Sequence, residues 1–110
     1  MLELLASRWT INILCILDDG PERFTALRTK TAMSPQVLTR TLRRLEDAGL
    51  VDRQLFAEVP PRAEYSLTEL GFTLCPVVHQ IRGWAIDHAD DVIATQTANR
   101  RKRDKQTPTN

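Results

Sequence analysis

Apolar and polar positions separate most sharply over residues 34–51. Leucines recur there at steps of three and four residues, which at about 100° per residue places them on one stripe of a helix: Leu38, Leu42 and Leu45. The opposite side carries glutamine and arginine, as Gln36, Arg40 and Arg43. The pattern predicts a helix over residues 34–47 that packs by its leucines and presents amide and guanidinium groups outward.

Both ends of this helix carry residues that favour helix termini. Ser34 can cap the first turn, Pro35 fits its first position, and Gly49 can adopt a left-handed stop. A helix with such a polar face has the shape and charge to enter the major groove of DNA. A solvated face on an ordinary surface helix is the alternative that this segment alone leaves open.

Two strand-like runs flank a turn within residues 51–67. Pro60 and Pro61 cannot lie inside a paired central strand, so they belong at the tip or on an edge. Tyr65 alternates with polar neighbours, as expected of a strand with one buried face. Arg62, beside the tip, is suited to contact a phosphate or the minor groove, or else to pair with a nearby carboxylate. A helix, an arginine-bearing hairpin and a further helix form the layout of a winged helix.

Residues 2–18 form a strongly apolar helical segment that can break near Ala6-Ser7, where Ser7 would cap a helix starting at Arg8. Apolar side chains cover more than one face of this segment. In a domain this small, we expect a partner subunit to supply the additional cover.

Residues 22–24 are short and extended, as in an edge strand that joins the later hairpin. Thr25 can cap a helix that runs to about Thr31, and only a short link separates it from Ser34. A short helix, a turn and a longer basic helix match helix-turn-helix organisation, although the glycine often found in such turns is absent.

A second long apolar pattern follows Thr68, which can cap the next helix. Apolar residues recur at steps of three and four over residues 70–85, and Pro76 should kink this helix or remove one hydrogen bond. Val92 and Ile93 would extend a last short helical piece.

The end of the chain differs in composition from the rest. From about residue 95 to residue 110 it is polar and basic, so we expect disorder there. We therefore divide the chain into a domain over residues 1–94 and a basic tail over residues 95–110.

Length and charge set limits on the function. The chain has 110 residues, 42% of them hydrophobic, which fits one small globular domain. Its formal net charge is +1, but residues 100–105 hold five of the fifteen basic residues and one of the fourteen acidic ones. The remaining residues are mildly acidic, so the positions of the arginines favour DNA binding and the overall charge does not. The sequence contains no apolar run that approaches the roughly 18 residues of a membrane span, and its amino end lacks the basic segment of a signal peptide. We therefore expect a soluble cytoplasmic protein.

No arrangement of residues typical of catalysis is present. The chain has neither a nucleophile motif nor a glycine-rich loop, so we expect no enzymatic activity and no cofactor. Acidic residues crowd around one histidine near the carboxyl end, and a solvated helix end is favoured there over a metal site: Asp87, His88, Asp90 and Asp91. Cys15 and Cys75 form no metal-like pair, and such cysteines are most often small buried hydrophobes.

Several segments together resemble the HxlR-type winged-helix transcriptional regulators of bacteria and archaea, relatives of the wider MarR-like class. The residues that carry the resemblance are Arg8-Trp9-Thr10, Asp19-Gly20-Pro21 with Arg23-Phe24, Ser34-Pro35 through Leu45-Glu46, Asp47 through Val51, Glu58 through Arg62 with Glu64 through Thr68, and Leu70-Gly71. The likeness runs from about residue 8 to residue 84, and its most specific part is the wing around Val59-Pro60-Pro61-Arg62.

The resemblance implies a mainly α fold with a small β-hairpin, namely a winged helix-turn-helix DNA-binding domain with amino- and carboxyl-terminal dimerisation helices. It implies a homodimer on a palindromic operator in double-stranded DNA. The implied recognition residues are Ser34, Gln36, Thr39, Arg40, Arg43 and Arg44, with Thr25 and Arg28 on phosphates at the start of the preceding helix and Arg62 in the wing. The apolar candidates for the dimer interface are Leu4, Leu5, Trp9, Ile13, Leu74, Val77, Val78, Ile81 and Trp84.

The signal that such a regulator would sense stays open. Many members of the family carry a cysteine shortly before the tryptophan-threonine motif, and this chain begins too late to include that position. Cys15 and Cys75 are weaker candidates for redox sensing, and a small-molecule pocket near Trp9 and Trp84 is another. A winged-helix module that contacts only proteins is the main alternative function.

Overall fold

The computed structural model describes residues 2–106, which form five helices and one three-stranded antiparallel sheet. In chain order the elements are α1 (Leu2–Ala6), α2 (Arg8–Asp18), β1 (Glu22–Arg23), α3 (Phe24–Thr31), α4 (Pro35–Asp47), β2 (Val51–Phe56), β3 (Arg62–Leu67) and α5 (Glu69–Gln106). The chain divides into two compact units, residues 1–79 and residues 80–110. The division predicted between residues 94 and 95 stays a prediction.

The first apolar segment is broken where the sequence predicts a break. Ser7 separates α1 from α2, and its Oγ accepts a hydrogen bond from the backbone N–H of Trp9 at 3.3 Å. A serine in this position satisfies one of the unpaired N–H groups of the first turn. Ile13, Leu14 and Leu17 from α2 are at most 1% exposed and enter the core.

Helix α3 begins two residues earlier than predicted. Its N-cap is Arg23, which makes no side-chain capping bond, so the prediction that Thr25 caps this helix is wrong. The pairing of β1 with β3 fixes the backbone up to Arg23, and the partly buried Phe24 packs against the core as the first helical residue. At the other end, Ala32 adopts the left-handed conformation with φ of 57°. This non-glycine residue takes the position in which helix-turn-helix turns often have glycine.

Helix α4 has the predicted ends and the predicted buried face. The Oγ of Ser34 accepts from the N–H of Val37 at 3.2 Å, and Pro35 occupies the first turn. After the helix, Gly49 has φ of 75°, and the N–H of Leu50 donates to the Leu45 carbonyl at 3.0 Å. This is the hydrogen-bond pattern of a Schellman stop. The stripe of leucines is buried to 1% exposure or less: Leu38, Leu42 and Leu45.

The sheet has the strand order β1-β3-β2, which confirms both the hairpin and the short edge strand. Glu22 of β1 pairs with Tyr65 of β3, and Val51 of β2 pairs with Leu67 of β3. Pro60 and Pro61 lie in the turn between β2 and β3, as predicted. The hairpin therefore forms a wing beside α3 and α4 of the helix-turn-helix.

A compact set of hydrogen bonds joins the end of α4 to the start of α5, and we call it the Thr68 junction: Gly49, Leu50, Thr68 and Gly71. The N–H of Thr68 donates to the Leu50 carbonyl at 3.1 Å, and its hydroxyl donates to the Gly49 carbonyl at 2.6 Å. The same hydroxyl accepts from the N–H of Gly71 at 3.0 Å. Thr68 is thus the predicted cap of α5, and it also ties the stop of α4 to that cap.

Helix α5 continues through Pro76 and extends to Gln106. The prediction of disorder from residue 95 is therefore wrong for residues 95–106, and residues 107–110 lie outside the described part. The segment 95–106 lacks large apolar residues, but it also lacks glycine and proline and contains three arginines, two lysines and two glutamines, all of which favour helices. Val92 and Ile93 belong to this same helix instead of a separate piece.

Candidate nucleic-acid interface

The side of α4 opposite its leucines forms an open groove of about 640 Å³. We call this surface the recognition face, and it consists of Pro35, Gln36, Thr39, Arg40, Arg43 and Arg44. The glutamine and the three arginines are exposed, and Thr39 is half-buried. The recognition residues predicted from the sequence therefore share one surface, with Ser34 exposed at the start of the helix.

The arginines of the recognition face have no acidic partner among residues 2–106. Ion pairs within that range lie elsewhere, among them those of Glu22 with Lys30, Glu46 with Arg53, Asp18 with His79, and Arg62 with Glu58 and Glu64. Three guanidinium groups one to four residues apart on one helix thus create a local positive charge on a chain whose net charge is only +1. Unpaired guanidiniums are suited to guanine edges and to phosphates.

Helix α3 places two further candidates at the surface. Thr25 and Arg28 are both exposed on α3, three residues apart. Thr25 lies in the first turn, but Arg28 lies in the last turn, so its predicted position at the start of the helix is wrong. Three residues correspond to slightly less than one helical turn, so the two side chains project from nearby positions on one side of α3.

Arg62 in the wing is held by neighbouring side chains. Its Nε lies 3.0 Å from Glu58 Oε2, and its Nη1 lies 3.6 Å from Glu64 Oε2. The guanidinium also stacks over the Phe56 ring at 4.1 Å from the centroid. The alternative interpretation from the sequence, an arginine paired with a nearby carboxylate, is the one that the structure shows. A phosphate would have to compete with both glutamates for this group.

Arg23 is a further cation at this surface that was not predicted from the sequence. Arg23 is exposed, pairs with Glu64 across β1 and β3, and lines a 350 Å³ cavity together with Thr25 and Arg62. Its signal in the sequence was a basic residue immediately before α3, at the strand position that pairs with the wing. Arg23 therefore adds a second cation beside Arg62, the one that was predicted there.

The residues predicted for the dimer interface fall into two groups. Ile13 is 0% exposed and Val78 is 5% exposed, so both belong to the core of this chain and their assignment to an interface is wrong. The other side chains are not fully buried. Leu4, Leu5, Trp9 and Leu74 are half-buried, and Val77, Ile81 and Trp84 are exposed. Trp84 stacks on His88 one helical turn later, with ring centroids 4.6 Å apart.

Both cysteines are free and buried. Burial, and after it the neighbouring Asp18 carboxylate, together raise the pKa of Cys75 to about 11. The Cys75 thiol lies 3.8 Å from the Gly71 carbonyl, to which it can donate. Because thiolates and not thiols react with oxidants and electrophiles, this environment makes Cys75 poorly suited to redox sensing.

We expect Cys75 to react with iodoacetamide at about one hundredth of the rate of an ordinary thiol at neutral pH, because a pKa near 11 instead of 9.0 leaves a hundredfold smaller thiolate fraction. Mass spectrometry of the native protein over time measures this rate, and the protein unfolded in urea is the control. Equal rates in the native and unfolded protein would contradict the prediction.

Neither histidine belongs to an arrangement typical of catalysis. His79 Nε2 lies 2.8 Å from Asp18 Oδ2, and this hydrogen bond lowers the pKa of Asp18. Within residues 2–106, no three His, Cys, Asp or Glu side chains are grouped so that they could hold a metal ion. None of the helices in that range combines the length and the apolar character that a membrane span requires.

Comparison with known proteins identifies relatives over most of the chain. The family model of HxlR-like helix-turn-helix proteins matches residues 4–92. An HTH-type transcriptional regulator of Methanothermobacter thermautotrophicus is 40% identical over 81 residues, which are 73% of this chain and 62% of the relative. The HTH-type transcriptional regulator YdeP of Bacillus subtilis is 35% identical over 105 residues, which are 94% of this chain and 81% of the relative.

Solved structures agree with these relatives. The structure of ytfH from Salmonella typhimurium, assigned as a transcriptional regulator, has a TM-score of 0.81 and 36% identity, and the match covers 87% of each chain. The redox regulator HypR in its reduced form has a TM-score of 0.79 and 35% identity over 84% of this chain and 93% of HypR. The winged helix-turn-helix fold, the family match and the named relatives together confirm the resemblance seen in the sequence. The chain belongs to the HxlR-like helix-turn-helix family of transcriptional regulators.

Proposed function

We propose that the protein binds a two-fold symmetric operator in double-stranded DNA as a homodimer, with residues 34–47 in the major groove. The observation that carries the proposal is the recognition face, where three arginines and a glutamine are exposed and have no described acidic partner. The major groove of B-DNA, about 12 Å wide, admits a single α-helix. The buried leucine stripe holds α4 in the core so that only its polar side can enter the groove.

The recognition face combines side chains that suit different base edges. An arginine such as Arg40 or Arg43 can donate two parallel hydrogen bonds to O6 and N7 of guanine, and Gln36 can pair in the same way with adenine. Arg44, near the carboxyl end of α4, is assigned to a phosphate. Loss of a phosphate contact weakens binding to all sequences alike, whereas loss of a base contact relaxes the preferred sequence.

Contacts outside α4 would position the helix in the groove. Thr25, Arg28 and Arg23 offer a hydroxyl and two guanidiniums to the backbone from α3 and the strand before it. Arg62 joins them only if phosphate replaces a glutamate, so we assign it a smaller share of the affinity. Backbone contacts of this kind set register and carry no sequence information by themselves.

The homodimer is proposed from apolar side chains that the described chain leaves uncovered. Residues 80–106 are a single helix, which cannot bury its own apolar side chains, and several are at least 39% exposed: Ile81, Trp84, Ile86, Val92 and Ile93. Large apolar side chains left exposed in this number along one helix are typical of an interface. A second copy of the chain would cover these residues. On a two-fold symmetric operator, the two copies of α4 would lie about 34–36 Å apart, one turn of DNA.

We test the proposal by selection from a random duplex library at physiological salt, in parallel with Arg40→Ala. The expected result is enrichment of a two-fold symmetric site with half-sites about one turn apart, which the variant loses or relaxes. Titration of a random duplex with salt is the second measurement, because counterion release makes DNA affinity fall steeply as salt rises. If no sequence is enriched and bulk DNA binding is absent, the recognition face would instead meet an acidic protein.

A further inference from the structure

The last two turns of α5 carry a concentrated positive charge. Residues 100–105 read Arg-Arg-Lys-Arg-Asp-Lys, and we call them the basic end of α5. They have a net charge of +4, whereas residues 1–99 hold ten basic and thirteen acidic residues and have a net charge of −3. The basic end also lies beyond the part of the chain that matches the family model, which is residues 4–92.

The cations of the basic end point in several directions. At about 100° per residue, Arg100, Arg101 and Lys102 cover more than half of the circumference of the helix. Residues 94–105 are all exposed, and their only apolar members are Ala94 and Ala98. A helix packs against another helix by an apolar stripe, which this part of α5 lacks. The basic end is therefore distinct from the apolar side chains that we assign to the dimer.

The charge of the basic end is not neutralised within the chain. Among residues 2–106, no ion pair involves Arg100, Arg101, Lys102 or Lys105. Arg103, by contrast, takes part in an interaction within the chain. Like charges three or four residues apart on a helix repel each other, as Lys105 does with both Arg101 and Lys102. A polyanion beside the helix would remove this repulsion.

Stabilisation of the helix end accounts for only part of the cluster. Cations interact favourably with the helix dipole within the last turn, and that turn contains Arg103 and Lys105. Arg100, Arg101 and Lys102 precede the last turn, so the dipole does not explain three adjacent cations there. These residues form a surface that is available to a negatively charged partner.

We propose that the basic end of α5 is a second DNA-contacting surface, which binds phosphates and reads no bases. The identity of the partner rests on the proposed DNA binding. Duplex DNA carries one negative charge per about 1.7 Å of its axis, and a helix rises about 1.5 Å per residue, so five cations in six residues match this charge density. Cations spread around a helix suit a phosphate backbone, whereas base readout requires one defined side. Because residues 1–99 have a net negative charge, the basic end supplies the long-range attraction to DNA.

The test compares the full chain with a fourfold variant that carries Arg100→Gln, Arg101→Gln, Lys102→Gln and Lys105→Gln. Glutamine favours helices and all four side chains are exposed, so the variant should keep the circular dichroism spectrum and the Tm of the parent. We expect its affinity for a random duplex at about 50 mM salt to fall about tenfold. The slope of log affinity against log salt should become shallower by about 0.9 for each phosphate contact that is lost. Selection from a random library should enrich the same sequence with both proteins.

Two single variants form a matched pair. Arg101→Gln and Arg82→Gln each remove one exposed guanidinium from α5. The first should weaken binding to the random duplex about threefold and flatten the salt slope, and the second should change neither. A variant with both Arg100→Lys and Arg101→Lys keeps the charge and should bind like the parent, because lysine binds phosphate as a point charge.

Four results would overturn the inference. Unchanged affinity and slope in the fourfold variant would show that the basic end does not contact DNA. Equal losses in Arg101→Gln and Arg82→Gln would leave net charge as the cause, and a changed selected sequence would mean that the basic end reads bases. Binding to phosphatidylserine vesicles that the fourfold variant loses, with unchanged DNA binding, would assign the basic end to a membrane surface. Failure of the proposed function gives a different result, in which no sequence is enriched although binding to the random duplex still depends on the basic end.

Discussion

Gly71→Ala is expected to destabilise the protein by about 2–4 kcal/mol, the largest effect of any single methyl group that we can identify in the chain. Gly71 is buried in the Thr68 junction, and a Cβ there would lie 2.2 Å from the Leu50 carbonyl oxygen. It would also lie 3.2 Å from Leu67 Cδ2. The first of these contacts is far below any distance that real Cβ atoms show.

The clash cannot be relieved by a side-chain rotation, because its closest atom belongs to the backbone. The same Leu50 oxygen accepts the N–H of Thr68 at 3.1 Å, so moving it breaks the bond that begins α5. Leu50 follows the left-handed Gly49, so the shift also strains the stop of α4. The expected loss therefore comes from overpacking combined with lost hydrogen bonds.

Gly83→Ala is the matched control for this prediction. A Cβ at Gly83 meets no atom within 4 Å, and an alanine inside a helix is favoured over glycine by about 0.5–1 kcal/mol, so this variant should be slightly more stable. Urea denaturation of both variants and the parent at one protein concentration measures the difference, since the stability of a dimer depends on concentration. A Gly71→Ala protein as stable as the parent would show that the junction can relax.

Arg43→Ala is expected to weaken binding to the selected operator by about 10–100-fold for each half-site, because a bidentate arginine–guanine contact discriminates by about 1–3 kcal/mol. Arg43 is exposed on the recognition face, so its replacement leaves the buried side of α4 intact. Fluorescence anisotropy with the operator and with a random duplex of the same length measures both affinities.

Arg82→Ala is the control for charge. It also removes one exposed positive charge, but from residues 80–106 and not from the helix-turn-helix, so we expect little change in the preferred sequence. A loss of affinity in Arg43→Ala that is equal for the operator and the random duplex would assign this residue to a phosphate. In that case the slope of affinity against salt should also become flatter.

The sequence predicted the elements whose signals are local. For α4, the cap at Ser34, the leucine spacing and the stop at Gly49 all fall within sixteen residues, so nothing distant was needed. The hairpin had the same advantage because its prolines mark the turn. The start of α3 was missed because the pairing of Arg23 with Glu64, forty-one residues away, decides where the helix begins.

The other wrong predictions concern tertiary packing, which the pattern of apolar and polar residues does not determine. Helix α2 is apolar on several faces, and only the tertiary structure shows that Ile13 faces the core of its own chain. The proximity of Thr10 of α2 to Arg40 and Arg44 of α4 could not be predicted either, because it depends on how the two helices pack. For Arg62, the sequence left open a contact with nucleic acid or a pair with a nearby carboxylate. In the structure, Glu58 and Glu64 lie close enough to pair with it.

The Thr68 junction also determines where the chain can change length. Between α4 and β2 each residue is fixed, since Gly49 and Leu50 carry hydrogen bonds to both the preceding helix and Thr68. An inserted residue there would shift the register of β2 and turn every side chain of that strand to the opposite face of the sheet. The loop of residues 57–61 is exposed throughout, and Val59 is fully exposed. Inserted residues are therefore better tolerated in this loop than between α4 and β2.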